Sequence, residues 1–371
     1  MKLTAKVKLT PTKTEAEALK QTLIVANQAC NDISQVAWNK KVFNQFGLHK
    51  LVYYDIRAAY PQLSSQIVVR CIAKVVYAYA IDKDTKRTFK PLGSIAYDLR
   101  ILNWYVSQQR VSMWAIGGRI KYLPFQAGQR QLELLNHQQG ESDLCYINGE
   151  FYLFATCDID EPAPDDVQEF LGVDLGIKNI ATDSDGHRHS GSQVLHLRKR
   201  RRRQRRRLQK KGTQAARRRL KKLSGKETRF ATHTNHVISK RIVELAKRTG
   251  RGIALENLKG IRDRVRLRKQ QRDDLHNWSF HQLGEFIKYK ALRLGVPLVF
   301  VDPRYTSQAC SVCGCIDKRN RPNQETFLCV SCGFAAHADT NAATNISTRG
   351  WGLVSGPYFP DAPLTPLASG A

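Results

Sequence analysis

The sequence predicts an α/β core in its second half, preceded by a β-rich unit that helices interrupt. Short buried strands alternate with helical stripes after residue 170, which is the pattern of an α/β core. Before that point, short strands flank Gly117-Gly118 and Asn148-Gly149, dipeptides typical of two-residue hairpins. The chain has 371 residues, of which 42% are apolar, so global disorder is excluded and two or three domains are expected.

The first half opens with a strand and then becomes helical. Apolar and polar residues alternate over 2–9, which predicts a strand. Thr12 and Glu15 fit a helix capping box, and apolar residues then recur every three or four positions over 19–37. A second helical stripe covers 68–79. The segments expected here are 1–12 for the first strand, 13–90 for the helices and 91–169 for the remaining strands.

The second half contains three short apolar strands with helical segments between them. Residues 170–177 form an apolar strand that one acid, Asp174, interrupts, and residues 253–255 form a second strand that ends at Glu256. A third buried strand is predicted over 298–301. The segments expected here are a core over 170–308 and 337–350, an insertion over 309–336 and a loose tail over 351–371.

The net charge of +28 is concentrated in one segment. Residues 198–222 contain 16 Lys or Arg and no acid, which is more than half of the net charge. Like charges at helical spacing repel one another, so a polyanion is the natural neutralising partner. A solvated surface helix or a disordered basic tail is the alternative, but this segment lies mid-chain between apolar segments. We therefore expect contact with nucleic acid, and the charge does not separate RNA from DNA.

Neither a secretory signal nor a membrane span is expected from the sequence. The N-terminus lacks a continuous apolar segment, and no apolar run approaches the ~18 residues of a membrane span. We therefore expect an intracellular protein with no membrane partner. Its nine cysteines are then expected to be metal ligands or free thiols rather than disulfides.

Two Cys-x-x-Cys motifs give the strongest signal for a metal. Fifteen residues separate the pair Cys310 and Cys313 from the pair Cys329 and Cys332, which is the spacing of a four-thiolate zinc ribbon. Cys315 could in principle replace Cys313, but its spacing is worse. Because sulfur fills all four positions, we expect a structural Zn²⁺. A redox pair or four spare cysteines is the alternative.

Three carboxylates occupy unusual places in the second half. Asp174 and Glu256 lie in or at the end of apolar strands, where an unpaired carboxylate is strongly destabilising. Asp339 begins a predicted helix. If the three converge, their oxygens suit two Mg²⁺ or Mn²⁺ ions about 4 Å apart, which can activate a water to cleave a phosphodiester. The alternatives are a helix N-cap for Asp339 and backbone-bonded strand ends for the other two, and the spacing leaves this choice open.

Four motifs follow one another in the second half. They are Gly172–Lys178 (GVDLGIK), Leu255–Lys259 (LENLK), Asp302–Gln308 (DPRYTSQ) leading into Cys310, and Asp339–Ile346 (DTNAATNI). In this order they resemble the TnpB family of RNA-guided nucleases, which is similar to the compact type V CRISPR effectors. The resemblance implies an α/β RNase H-like (RuvC) nuclease core with a zinc-ribbon insertion, and an N-terminal wedge β-barrel interrupted by a helical recognition lobe.

The resemblance also implies roles for individual residues. Asp174, Glu256 and Asp339 would be the catalytic triad that binds Mg²⁺ or Mn²⁺. His337-Ala338 departs from the Asp-Arg that often precedes the last aspartate in this family, which puts the rate or the contact with the cut strand in question.

The resemblance implies two partners, a guide RNA and matching double-stranded DNA. A separate transposase of the same mobile element would be a third partner. The basic segment would contact the RNA and heteroduplex backbone while base pairing reads the sequence. The phosphate contacts expected are Arg201, Arg205 and Arg217. A short DNA motif beside the target would be read from the helical lobe, since Gln and Arg can contact base edges. The residues expected to read it are Ser65, Gln66 and Arg70. A cytoplasmic, nucleoid-associated location in a prokaryote follows.

The leading hypothesis is an RNA-guided DNA endonuclease that cuts beside a short motif. A guided DNA-binding repressor is the second hypothesis, and the presence of all three acids favours the nuclease. A CRISPR effector with an array-derived guide has the same motifs, although a length of 371 residues favours a transposon-encoded protein. A DNA-strand transposase is the fourth hypothesis. The cysteine insertion between the second and third acids argues against it.

Overall fold

The chain divides into two compact units. The computed structural model describes residues 1–258 and 280–355, and predictions that fall on 259–279 or 356–371 lie outside the described residues. The first unit is Met1–Asp160 and the second is Glu161–Ala371. No described helix combines the length and the hydropathy needed to cross a bilayer.

The first unit is built from seven strands and four α-helices. The strands are β1 (Lys2–Leu9), β2 (Ile95–Tyr97), β3 (Leu102–Tyr105), β4 (Arg110–Ala115), β5 (Gly118–Gln126), β6 (Gln138–Ile147) and β7 (Glu150–Asp158). The helices are α1 (Lys13–Lys40), α2 (Gln45–Ala59), α3 (Ser65–Ile81) and α4 (Gln129–Leu135).

Strand β1 lies inside the sheet of the first unit. The strand order is β2-β6-β7-β1-β5-β4-β3, and β1 pairs antiparallel with both β7 and β5. Its side chains alternate between core and solvent, with Ala5, Val7 and Leu9 buried, because neighbouring residues of a strand point to opposite faces. The predicted strand over 2–9 is confirmed, while closure of this sheet into a barrel stays a prediction.

Both predicted hairpins form, one of them shifted by a residue. Asn148 and Gly149 have φ values of 55° and 92°, the left-handed conformation that a tight hairpin turn needs at both central positions. In the other hairpin, Ala115 pairs with Gly118, so the two turn residues are Ile116 and Gly117 rather than Gly117 and Gly118.

The helical segment of the first unit begins with the predicted capping box. The Thr12 backbone N–H donates to Glu15 Oε2 at 2.8 Å, and the Glu15 N–H donates to Thr12 Oγ1 at 3.4 Å. The apolar stripes of α1 and α3 are buried as predicted, with Leu23 and Ile72 fully inside. Helix α2 has no counterpart among the sequence predictions.

The second unit contains a five-stranded sheet, a two-stranded hairpin and four α-helices among the described residues. The strands are β8 (Phe170–Asp174), β9 (Asn179–Asp183), β10 (Arg188–Ser190), β11 (Gly252–Glu256), β12 (Leu298–Val301), β13 (Thr326–Leu328) and β14 (Ala335–His337). The helices are α5 (Ser192–Lys211), α6 (Gln214–Arg248), α7 (Phe280–Leu294) and α8 (Ala338–Ser355).

The side chains of the parallel strands β8 and β11 alternate between the two faces of the five-stranded sheet. The order is β10-β9-β8-β11-β12, with β8 and β12 both parallel to β11. Val173 and Leu255 pack in one core with residues of α6 and α7, while Phe170 and Ala254 pack on the opposite face with Ile346 of α8. Helices therefore cover both faces, as expected for an α/β core.

Gly172 allows α8 to lie directly on β8. A Cβ at Gly172 would come within 1.9 Å of the Ala343 carbonyl oxygen and 2.4 Å of the Ser347 backbone nitrogen. Only a residue without a side chain fits this approach, so the first motif contributes to packing as well as to chemistry.

The first five residues of the predicted loose tail, 351–355, are helical. Helix α8 continues to Ser355. Trp351 packs against the cluster that contains Phe170 and Ile346, and this apolar contact extends the helix beyond the predicted boundary at 350.

Candidate functional site

Asp174 and Glu256 lie beside each other at the carboxyl ends of adjacent parallel strands. The register pairs Leu255 with Val173, so the next residue of each strand lies at the same edge of the sheet. Alternation turns both acids toward the face that α8 covers. Asp339 lies in the first turn of α8. Three acids that are far apart in the sequence therefore approach one edge of the sheet.

The surroundings of Asp174 disfavour its charged form. Burial, followed by the nearby carboxylates of Glu256 and Asp339, raises the pKa of Asp174 to about 8, and the Arg321 guanidinium opposes this only in part. Asp174 thus lies within electrostatic reach of both other acids. The backbone-bonded alternative does not account for this crowding of three carboxylates.

A threonine holds the Glu256 carboxylate. The Thr306 hydroxyl donates to Glu256 Oε1 at 2.5 Å, and Thr306 is 3% exposed. Burial raises the pKa of Glu256, while this hydrogen bond and the charge of Arg349 lower it. Thr306 lies 50 residues from its partner, and no sequence pattern indicated the contact.

Two side chains from other elements hold the Asp339 carboxylate. Asn179 Nδ2 donates to Oδ2 at 2.9 Å, and Arg321 Nη2 donates to Oδ1 at 3.3 Å. The Asp339 backbone N–H donates to His337 Nδ1 at 3.2 Å. Since α8 begins at Ala338, His337 occupies the cap position, and the N-cap alternative for Asp339 is wrong.

The donor set suits hard divalent cations. Carboxylate oxygens are the ligands that Mg²⁺ and Mn²⁺ prefer. Thr306 and Arg321 orient two of the acids in the way that outer-shell groups orient metal ligands. A divalent cation would also relieve the repulsion that raises the pKa of Asp174. The residues present therefore fit such ions.

The four predicted cysteine ligands form one compact group. The Sγ atoms of Cys310 and Cys332 are 3.7 Å apart, those of Cys313 and Cys329 are 3.6 Å apart, and all four lie within 4.8 Å of one another. A tetrahedral ion with Zn–S bonds of about 2.3 Å has S···S edges of about 3.8 Å. The group fits Zn²⁺.

Backbone turns preorganise the cysteine group. The Gly314 N–H donates to the Cys310 carbonyl at 2.9 Å, and the Gly333 N–H donates to the Cys329 carbonyl at 3.1 Å. Both glycines have positive φ, 75° and 74°, as these tight turns require. Cys315 contributes its carbonyl, which accepts from the Cys310 N–H, and its thiol lies outside the four-sulfur group.

The basic segment forms the end of α5 and the start of α6. The side chain of Arg217 is exposed and makes no hydrogen bond or ion pair within the described part of the chain. Arg201 is half-buried and donates to Gln204 at 2.9 Å, and Arg205 pairs with Glu227 at 3.1 Å. Phosphate contact by these arginines stays a prediction, and at Arg205 a phosphate would compete with a carboxylate.

The candidate motif readers of α3 are already engaged within the first unit. Gln66 donates to the Asp98 carboxylate, and Arg70 pairs with Glu141 while only 11% exposed. The alternative of a freely exposed helix face is therefore wrong for Arg70. Ser65 is exposed. Base reading by these residues stays a prediction that would require the contacts of Gln66 and Arg70 to open.

A second group of metal-type ligands is accounted for by a turn. Single ligand atoms of Asp183, Asp185 and His187 lie within 4.8 Å of one another. The Asp183 carboxylate accepts from the backbone N–H groups of Asp185 and His187 at 3.1 and 2.9 Å, and Asp185 pairs with Arg251 at 2.5 Å. The turn itself satisfies Asp183, and Arg251 satisfies Asp185.

Two protein-family models match the second half of the chain. The model described as "Cas12f1-like, TNB domain" matches residues 280–346, which include the four cysteines and Asp339. The model described as "Probable transposase" (OrfB_IS605) matches residues 154–262, which include Asp174 and Glu256.

Three relatives illustrate the similarity. CRISPR-associated endodeoxyribonuclease Cas12f1 of Sulfoacidibacillus thermotolerans is 34% identical over 199 residues, 49% of this chain and 46% of that protein. TnpB-like protein MJ0751 of Methanocaldococcus jannaschii is 34% identical over 128 residues, 34% of this chain and 45% of that protein. "Putative transposase MJ0856.1" of the same organism is 34% identical over 104 residues, 26% of this chain and 92% of that protein. The chain belongs to the TnpB/Cas12f family.

Membership in the TnpB/Cas12f family confirms the resemblance drawn from the four sequence motifs. The chain spans about half the length of the first curated relatives it matches, 46% and 45% of two Cas12f1 proteins.

Proposed function

We propose that this protein is a metal-dependent, RNA-guided endonuclease that cuts double-stranded DNA beside a short motif. The observation that carries the proposal is the approach of Asp174, Glu256 and Asp339 at one sheet edge, with Asp174 held at a pKa of about 8 by burial and the other two acids. The Cas12f1 relatives are named endodeoxyribonucleases, which supports the same reaction class.

The chain's own residues would supply and orient the metal ligands. Two divalent ions, when bound, would activate a water and stabilise the leaving oxygen of the phosphodiester. Asp174 lies within electrostatic reach of both other acids and would contribute to holding both ions. Thr306 fixes the direction of the Glu256 carboxylate, and Asn179 does the same for Asp339.

The basic helices α5 and α6 would hold the guide RNA and its heteroduplex with DNA. A dense run of arginines favours contact with backbone phosphates and reads little sequence. Sequence recognition would come from base pairing between the RNA and the target strand. The zinc group would be structural, because all four of its positions are sulfur.

A DNA-strand transposase is a second candidate. The model that matches residues 154–262 is described as a probable transposase, and one relative carries the same word in its name. A transposase would act on specific DNA ends without RNA, whereas the proposed nuclease needs RNA for its choice of target. Dependence on RNA separates the two.

The proposal is tested at Asp174, the carboxylate whose pKa both other acids raise. Asp174→Ala should abolish Mg²⁺-dependent cleavage while binding of RNA and DNA is nearly unchanged, because affinity comes mainly from basic contacts. Asp166→Ala, which removes an exposed acid of the same unit, is the matched control and should cut like the wild type. Substantial cleavage by the Asp174 variant would refute the assignment.

A further inference from the structure

A cavity of about 540 Å³ lies between the β9–β10 hairpin and helix α6. Three arginines line it: Arg188 of β10, and Arg241 and Arg248 of α6. His187 and His189 also line it. Arg241 and Arg248 are seven residues apart, so they lie on one face of the helix about 10 Å apart along its axis.

No side chain in the described part of the chain neutralises the arginines of this cavity. Arg188, Arg241 and Arg248 are exposed, and within residues 1–258 and 280–355 none of their side chains makes a hydrogen bond or ion pair. The acids nearby are already paired: Glu244 with Lys240 at 3.5 Å, and the buried Asp183 with its own turn.

The cavity and the carboxylate site lie on opposite faces of the sheet. Asp183 pairs with Val173 across β8 and β9, so both point to the face that α6 covers. Asp174, the next residue of β8, points to the face that α8 covers. One phosphodiester therefore cannot occupy the cavity and the cutting site together.

We propose that Arg188, Arg241 and Arg248 form a binding site for backbone phosphates of a nucleic acid, separate from the bond that is cut. The guanidinium fork matches phosphate oxygens in geometry and charge, and three such groups in one cavity repel one another until an anion enters. Burial lowers the pKa of His189, the Asp183 carboxylate opposes this shift, and the charges of Arg241 and His187 add to it. The inference does not depend on guided cleavage, since any phosphodiester chain satisfies this chemistry.

The salt dependence of binding tests this site. Affinities of wild type, Arg241→Gln and Arg248→Gln for a single-stranded RNA and for a DNA duplex of equal length are measured over a series of salt concentrations. Loss of one phosphate contact should lower the slope of log K against log salt by about 0.7 for the single strand or about 0.9 for the duplex. A change confined to one nucleic acid identifies the source of the phosphate.

Two control variants make the result decisive. Arg130→Gln removes one exposed arginine of α4 and should leave the slope unchanged. Arg241→Lys keeps the charge and should restore the wild-type slope, which a folding defect at this position would not allow. If neither cavity variant differs from Arg130→Gln with either nucleic acid, the site does not exist. If the slopes change while wild type shows no guided cleavage, the phosphate site stands and the proposed function fails.

Discussion

Arg321, in the cysteine insertion, donates to the Asp339 carboxylate across 3.3 Å. The same guanidinium lowers the pKa of Asp174, whereas burial and the carboxylates of Glu256 and Asp339 raise it. Arg321 lies between the two Cys-x-x-Cys motifs, so the fold of the insertion fixes where its charge is. The insertion and the carboxylate site are therefore coupled through one side chain.

Replacement of Arg321 should reduce cleavage while the chain stays folded. Arg321→Gln removes the charge that orients Asp339, and loss of such an outer-shell partner lowers metal affinity or activity roughly 10- to 100-fold. The measurement is the rate of DNA cleavage as a function of Mg²⁺ concentration. Arg319→Gln is the control, because Arg319 is exposed and pairs with Asp317 at 2.7 Å inside the insertion. Equal rates for the two variants would argue against the coupling.

Loss of the zinc group should also reduce cleavage at the carboxylate site, because the fold of the insertion positions Arg321. Cys310→Ser should lower the zinc content of the purified protein, unfold the insertion and thereby displace Arg321. Cys315→Ser should keep one zinc per chain and full cleavage, because the Cys315 thiol lies outside the four-sulfur group. Elemental analysis with a cleavage assay checks both variants. Wild-type protein without zinc would contradict the assignment.

The free energy of unfolding of the metal-free protein should depend on pH through Asp174. Its pKa is about 8 in the folded chain, against an ordinary value of 3.8. Between these values the folded state holds a proton that the unfolded state has lost, so stability falls as pH rises from about 4 to about 8. Asp174→Asn cannot ionise and should lose this part of the pH dependence.

Thermal denaturation without metal measures this effect. Asp174→Asn should gain stability relative to wild type as pH rises, and added Mg²⁺ should stabilise wild type but not the variant. Asp166→Asn, at an exposed position, should follow the wild-type curve. A constant difference between Asp174→Asn and wild type at all pH values would show that Asp174 is not the titrating group.

A single methyl group at Gly172 should disrupt the second unit. The new Cβ would lie 1.9 Å from the Ala343 carbonyl oxygen, so α8 must move away from β8. Gly172→Ala should destabilise by about 3 kcal/mol or more, the upper end for overpacked cores. Gly284→Ala in α7 is the control, since nothing lies within 4 Å of its Cβ, and it should stabilise by about 0.5–1 kcal/mol. Denaturant unfolding compares the two.

The sequence predicts the local features of the fold because their causes are local. The Thr12–Glu15 capping box and the Asn148-Gly149 turn each need only a few adjacent residues, and both form. Local signals do not fix the exact position of the other turn, which lies at Ile116-Gly117. Either glycine can supply the positive φ, so the pairing of the flanking strands selects the register.

The acids of the site could be proposed from the sequence, but not the residues that hold them. Asp174 and Glu256 stand out because an acid is costly in an apolar strand. Thr306 lies in one of the four motifs and Arg321 lies between the two cysteine pairs, but neither position indicates a carboxylate partner, because only long-range packing brings these side chains to the acids. For the same reason the pairing of Arg70 with Glu141 was missed.

We expect a bound RNA to select the DNA that this carboxylate site cuts. The most direct measurement is a cleavage assay with two guides, two plasmids that each match one guide, and wild-type protein with Mg²⁺. Each guide should direct cleavage only to its own plasmid beside a short fixed motif, and Asp174→Ala should cut neither plasmid. Equal cleavage of both plasmids with either guide, or cleavage without RNA, would contradict it and leave a plain metal-dependent nuclease.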